Sequence, residues 1–472
     1  MKHIILRSAI FVLMLSPIGA YGQANEVVSA RVDRRVELMS IVARLAGYEE
    51  FIRNDFKSYV TDVEDHFTKF RDHPAIEYAR KVRRDRSVSY DAVMSMAVHL
   101  NQPPALTPRV AFSDLVPDKR WGKSDGENFA KLLAEFYKDA GCEAFFESHD
   151  AMYREAEGRF QQLLTKVEFG WYGRFYGEKP AGEFHLLIGL LNGGGNFGPK
   201  VVLPDGREDL FAIIGTWRFD DQGAPLYDDR LLPTIIHEYN HSFINPLVYA
   251  NEKGFRDAGS KIYQPVAGEM KRLAYGTWQT MMLESLVRAA VIRYIIEHDQ
   301  NEEIRRKRVI DERNIGFLWM EDLVGLLGRY ESERKRYLKF RDFMPEVIRF
   351  YDGLAPRING MVADFNSARP SVQSTAPFAN GAQDVDPSIT EITFTFDRPL
   401  EPKGVSINFG PGGPAQFPIV KVIGYGEDGK RLTLQLKMNP ATSYEFILTE
   451  QSFRTREGFP LKPYTMKFRT RP

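Results

Sequence analysis

Cysteine is almost missing from this chain: among 472 residues, Cys142 is the only one. That excludes an intramolecular disulfide and any zinc site built from several thiolates. Cys142 lies between Gly141 and Glu143-Ala-Phe-Phe146, which reads as an ordinary half-buried helix rather than the setting of a nucleophile. Net charge is missing as well. Lys plus Arg and Asp plus Glu both number 63, so no global field points to nucleic acid or an anionic membrane. The dense runs Arg305-Arg-Lys-Arg308 and Glu331-Ser-Glu-Arg-Lys-Arg336 mix with acids and read as solvated helix faces. After the first residues no apolar run is long enough to be a membrane helix. Neither a P-loop Lys-Ser/Thr nor a dinucleotide fingerprint accompanies the glycines.

The first residues read as an export signal. Lys2 and Arg7 give a positive start, Ala9-Ile-Phe-Val-Leu-Met-Leu15 a short apolar region, and Ala20-Tyr-Gly22 a small-x-small cleavage site. Cleavage after Gly22 leaves Gln23 as the new N-terminus and places the mature chain in the periplasm or outside the cell. An uncleaved anchor is the competing reading. No Cys stands at the cleavage site, which excludes a lipoprotein anchor.

The length asks for two or three domains. Residues from about 25 to 170 carry helical spacing, as in Val36, Leu38, Met39, Val42 and Leu45. His66, His73, His99 and His149 are scattered through it without metal spacing. The period then changes. Glu183-Phe-His-Leu-Leu-Ile-Gly-Leu-Leu191 reads as a strand running into the glycine-rich Asn192-Gly-Gly-Gly-Asn196. Residues 201–215 read as a hairpin. From about residue 366 the composition shifts again, and alternating runs such as Ile392, Phe394, Phe396 and Leu432, Leu434, Leu436 mark short strands between Gly/Pro turns. About seven such strands suggest an Ig-like sandwich.

Chemistry concentrates at Leu231-Leu-Pro-Thr-Ile-Ile-His-Glu-Tyr-Asn-His-Ser-Phe243. Within it, His237-Glu238-Tyr239-Asn240-His241 is an H-E-x-x-H. On a helix the two histidines share one face and reach one metal ion, while Glu238 is placed to take a proton from a water at that ion. Asp228 and Asp229 are expected to cap this helix and Asn245-Pro246 to stop it. A polar stretch is expected from there to about Pro265. A long apolar helix follows from about Thr277, and in it Glu284 stands among Met281, Met282, Leu283, Leu286 and Val287. A buried carboxylate needs a partner or a metal, so Glu284 is the expected third ligand. Its competing reading is an i,i+4 pair with Arg288, and Glu269 is the rival ligand.

At His237, Glu238, His241 and Glu284 the chain resembles the gluzincin zinc metallopeptidases. Over about residues 30–355 it resembles an exported bacterial family of zincin-like proteins, the domain-of-unknown-function 4932 type. That likeness is carried by Arg35-Val-Glu-Leu-Met-Ser-Ile-Val-Ala-Arg-Leu-Ala-Gly-Tyr48, by Leu190-Leu-Asn-Gly-Gly-Gly-Asn-Phe-Gly198, and by the two metal-site segments. The tail resembles bacterial Ig-like domains at Asp386-Pro-Ser-Ile-Thr-Glu-Ile-Thr-Phe-Thr-Phe-Asp397, at 436–449 and at Phe468-Arg-Thr470, which implies a spacer or binding role. The usual downstream transition-state partner of gluzincins has no clear counterpart. Arg288, Tyr275, Tyr249 and Tyr263 are the candidates, with Asn192 and Asn196 as substrate contacts at a strand edge.

The expected architecture is therefore α+β. A signal peptide (1–22) precedes a mainly helical zincin-like metallopeptidase domain (23–365), helical to about 170 and metal-binding from about 180. A linker (366–378) and an all-β Ig-like sandwich (379–472) follow. The expected activity is zinc-dependent hydrolysis of a peptide or protein substrate, with one Zn2+ per chain, no nucleic acid and no membrane span in the mature chain. The alternative is a non-catalytic binding protein with a structural metal.

Overall fold

The computed structural model describes residues 28–180, 182–299 and 301–472. The expected signal segment, residues 1–22, lies outside the described residues. Two separate apolar cores organise the rest, one drawn from Val28 to Ile358 and the other from Phe378 to Phe468. The fold is α+β, as the change of period along the sequence implies.

The first core packs helices around one four-stranded sheet. Its strands are β1 (Ala30–Val32), β2 (Glu183–Gly189), β3 (Lys200–Val202) and β4 (Glu208–Gly215), in the order β1-β2-β4-β3. β2 runs parallel to both β1 and β4, and β3 returns antiparallel beside β4. Leu186, Leu187, Ile188 and Ala212, Ile213, Ile214 are all buried, as expected for paired parallel strands covered on both faces. The expected strand at 183 and hairpin at 201–215 are present. β1 is an addition: three residues that pair with a strand more than 150 positions later. The helix Arg34–Leu45 follows it, with Asp33 as N-cap accepting from Arg35 N.

The H-E-x-x-H helix spans Leu232–Ala250 and packs against the helix Trp278–His298. Its back face is fixed by the helix Gly170–Tyr176. Tyr176 stacks on Phe243 at 4.3 Å and donates to Asn240 Oδ1 at 2.6 Å, while Tyr172 donates to the Ile236 carbonyl at 3.2 Å. With Asn240 and Phe243 held on that side, the histidines face the other way.

Four expectations need correction here. The helix does not stop at Pro246 but continues to Ala250. Ile244 and Val248, one turn apart, are both buried, and that packing overrides the local breaker. The polar stretch before Pro265, given no helix in the sequence, is one: Glu252–Arg272, anchored by Phe255, Ile262, Val266 and Met270. Asp228 and Asp229 do not cap the metal helix: Asp228 pairs with Arg218 and Asp229 with Lys166. Residues 366–378 are not a loose linker. The helix Ile358–Ala368 runs into them and Val372–Ala376 is already a strand of the sandwich. Arg369 ties the junction, donating to the Pro460 and Leu461 carbonyls and to Glu450.

The second core is an antiparallel sandwich. Its strands are β5 (Val372–Ala376), β6 (Glu391–Phe396), β7 (Ile407–Phe409), β8 (Ile419–Tyr425), β9 (Arg431–Leu436), β10 (Ser443–Leu448) and β11 (Tyr464–Arg469). They form sheets β5-β6-β9-β8 and β11-β10-β7. Ile392, Phe394, Phe396, Leu432, Leu434, Phe446 and Met466 fill the space between, which is the alternation read from the sequence. Among the described residues no helix is long and apolar enough to cross a membrane.

Candidate metal centre

His237 and His241 stand one turn apart on their helix, with Nε2 atoms 3.1 Å from each other. Glu284 reaches them from the Trp278–His298 helix. Its Oε2 is 3.4 Å from His237 Nε2 and its Oε1 3.6 Å from His241 Nε2. A tetrahedral ion with ligands at about 2.0–2.1 Å separates neighbouring donors by about 3.4 Å. Three donors at these spacings therefore fit a zinc-sized ion. The chemistry of the set agrees, with two imidazole nitrogens and one carboxylate oxygen. The side chains of His237 and His241 remain 18% and 22% exposed, and that of Glu284 12%.

Each donor is oriented by a neighbour. Asn245 Oδ1 lies 3.0 Å from His241 Nδ1. As an acceptor it keeps the proton on Nδ1 and leaves the Nε2 lone pair facing the centre. Tyr275 donates to Glu284 Oε2 at 2.9 Å, and Arg288 Nη2 donates to the Tyr275 hydroxyl at 2.7 Å. Arg288 Nη1 in turn donates to Glu312 at 2.9 Å, while its Nε lies 3.6 Å from Glu284 Oε2. Burial alone would raise the Glu284 pKa. The His237 hydrogen bond and the charges of His237, His241 and Arg288 outweigh it and hold the carboxyl far below its ordinary range. At His237 burial works to lower the pKa, and the hydrogen bond and charge of Glu284 raise it on balance.

The structure brings His237, His241 and Glu284 together. The i,i+4 contact between Glu284 and Arg288 exists alongside this, not instead of it. Glu269 is elsewhere, 3.3 Å from Arg272. Tyr275 and Arg288 sit beside Glu284, with hydrogen bonds to the carboxylate, to each other and to Glu312, while the buried Arg288 Nε makes none. Tyr263 donates to the Tyr275 carbonyl at 3.1 Å, whereas Tyr249 is exposed.

The expected strand edge is misplaced by a few residues. Asn192 is buried at 2% exposure, accepting from Ser40 Oγ, and β2 before it is paired on both sides. Asn196 Oδ1 accepts from Gly215 N at 3.0 Å. Asn192 braces the glycine turn from inside, and Asn196, half-buried, ties it to the end of β4. The free edge is the next segment. Phe197 exchanges two backbone bonds with Ile213, and Pro199 O accepts from Phe211 N. In an antiparallel ladder the residue between such a pair turns its N–H and C=O outward. That residue is Gly198, where an added Cβ would lie 3.4 Å from Glu238 Oε2. Glu238 thus faces the open edge of the sheet.

Asn245, Gly198 and Glu312 escaped the sequence reading. Asn245 was within reach of it, because it follows His241 by one helical turn. A second donor group, Glu183, His185 and Asp209, also lies close together. There Arg109 is already paired with Asp209, and the phenyl ring of Phe211 covers the imidazole.

No curated protein matches the chain. Among solved structures, CopC from Methylosinus trichosporium OB3b is 18% identical, with a TM-score of 0.18, over 22% of this chain and 95% of that one. The surface layer protein SbsC, domains 1–6, is also 18% identical with a TM-score of 0.18, over 51% of this chain and 33% of that one. Residues 28–350 match the family described as "Domain of unknown function (DUF4932)", and residues 366–470 match that described as "Bacterial Ig-like domain". The first match spans well over half of the sequence, and the chain belongs to the DUF4932 family, with a bacterial Ig-like domain on its C-terminal side.

Proposed function

We propose that this chain is an exported zinc-dependent hydrolase that cleaves peptide bonds. The carrying observation is the triangle of His237, His241 and Glu284, with Glu238 on the same helix beside His237 and its carboxylate next to the free edge at Gly198. Export rests on the N-terminal segment alone. Zinc, when bound, supplies a Lewis acid that brings the pKa of a coordinated water toward neutrality.

The chain's own residues then have separable tasks. His237, His241 and Glu284 hold the ion. Glu238 takes the proton of the attacking water and returns it to the leaving nitrogen. The outward N–H and C=O of Gly198 pair with an extended substrate, which adds as a strand beside β3. Tyr275 and Arg288 keep the Glu284 carboxylate aimed.

Replacing Glu238 by Gln tests this directly. Turnover of a peptide library should fall by a factor of about 10²–10⁴ while zinc content stays at that of the wild type. His237→Ala and Glu284→Ala should instead lose the zinc. Full activity in the Glu238→Gln chain overturns the reading, and a chain without zinc under metal-replete conditions overturns it too and leaves a non-catalytic binding role without the metal.

A further inference from the structure

The Ig-like domain touches the rest of the molecule at a telling place. Its hairpin turn at 454–460 docks on the helix Glu302–Asn314. Arg454 pairs with Asp311 at 2.9 Å, and Asn314 Nδ2 donates to the Gly458 carbonyl at 2.9 Å. The Arg313 guanidinium lies 4.1 Å from the Phe459 ring centroid and donates to the Glu457 carbonyl at 3.3 Å. Gly458 has φ +82°, and a Cβ there would come within 2.6 Å of Ile310. Only glycine permits so close an approach in that backbone conformation.

The same helical turn carries Glu312, on the side away from the sandwich. Glu312 holds Arg288, Arg288 holds Tyr275, and both lie against Glu284. The helix itself contains no fully buried residue; Val309 packs partly buried against the main core, and polar contacts add to what holds its position. Polar contacts on its two sides fix where Glu312 stands.

We infer that the Ig-like domain is a positioning element of the metal centre. Through Asp311, Arg313 and Asn314 it seats the Glu302–Asn314 helix, and through Glu312 and Arg288 that helix sets the Glu284 carboxylate. The inference rests on the metal reading of His237, His241 and Glu284. Arg454 is thus a positioning residue that acts through Asp311, and the tail is more than a spacer.

Cobalt titration of the full-length protein, followed by ligand-field absorption, tests it. Arg454→Asp sets two carboxylates against each other at Asp311. It should weaken cobalt binding about threefold to tenfold, within the roughly twofold to thirtyfold span of coupling carried through packed networks, and change the cobalt spectrum. Adding Asp311→Arg should restore both. Lys430→Asp, a charge reversal elsewhere on the sandwich, should change neither. Hydrogen exchange of amides 302–314 should quicken in Arg454→Asp and recover in the reversed pair. Should Arg454→Asp fold poorly, Gly458→Ala breaks the same docking without a charge change and should weaken cobalt binding likewise. Wild-type affinity and spectrum in the undocked variants, with exchange quickened, overturn the inference and leave the metal site standing. A wild-type chain that binds no cobalt overturns both together.

Discussion

The buried acids of this protein divide by what surrounds them. Glu284 has two imidazoles and a guanidinium at hand and stays ionised. Glu37 has no such neighbours. Burial pushes its pKa up to about 8, despite hydrogen bonds from the Leu190 backbone, from Tyr59 and from the Leu191 backbone. In the fold it therefore keeps its proton to about pH 8, whereas in the unfolded chain it loses it near the ordinary glutamate value of 4.5. Between these limits the folded state binds more protons, so stability is full below the lower value and falls as pH rises. A shift of this size amounts to about 3–5 kcal/mol. Glu37→Gln should remove that part of the pH dependence. Urea midpoints at pH 5 and pH 8 would show it, and parallel losses in wild type and variant would refute it.

Tyr275 tests the support of the third ligand at the same scale. Tyr275→Phe deletes the bond to Glu284 Oε2 and leaves the ring in place. Metal affinity should drop about tenfold, at the low end for partners that orient a metal ligand. Competition with a chelating dye measures it. An unchanged affinity would mean that Arg288 and the histidines aim the carboxylate without the tyrosine.

At the scale of elements, legibility followed sequence distance. The H-E-x-x-H pair is local, so its geometry follows from helical spacing. Glu284 was legible because a lone acid in an apolar run is costly unless something receives it. The parallel pairing of β1 with β2 joins residues far apart in the chain, and no local pattern announces a three-residue strand. Asn192 misled for a related reason. It sits in a glycine-rich turn that looks exposed, but Ser40 on a helix from the start of the chain receives its side chain. Helices crossing Pro246 and Pro265 were hidden because burial of Val248 and Met270 is a tertiary fact.

The glycine turn gives the element-scale prediction. Gly215 ends β4 where the turn crosses it, and a Cβ there would lie 2.3 Å from the Gly193 carbonyl oxygen and 2.6 Å from that of Gly195. Backbone cannot yield as a side-chain tip does. Gly215→Ala should cost about 1–3 kcal/mol or more, as overpacking does, and should displace the Gly198 edge. Gly206 lies in a turn where an added Cβ meets nothing within 4 Å, though its φ is +84°. Gly206→Ala should therefore show backbone strain without displacing the edge. Melting temperature and peptide affinity together separate the two, and equal losses of peptide affinity would refute the distinction.

At the scale of the whole molecule, two cores with no shared buried residues meet through a few polar and aromatic contacts. Each core carries its own cooperative unit, so calorimetry should show two transitions rather than one. A ligand stabilises the unit that binds it by RT ln(1 + [L]/Kd), about 2.7 kcal/mol at a hundredfold excess over Kd. Zinc should therefore raise the transition of the core that contains His237, His241 and Glu284. The sandwich, whose strands hold no member of the centre, should melt where it did before. The contacts of the 454–460 turn add a smaller term, because docking is lost when either unit melts. In Arg454→Asp that term disappears and the zinc-induced rise of the first transition should shrink. If zinc moved both transitions equally, the two cores would be one folding unit, and the separation of the metal half from its sandwich would have to be abandoned.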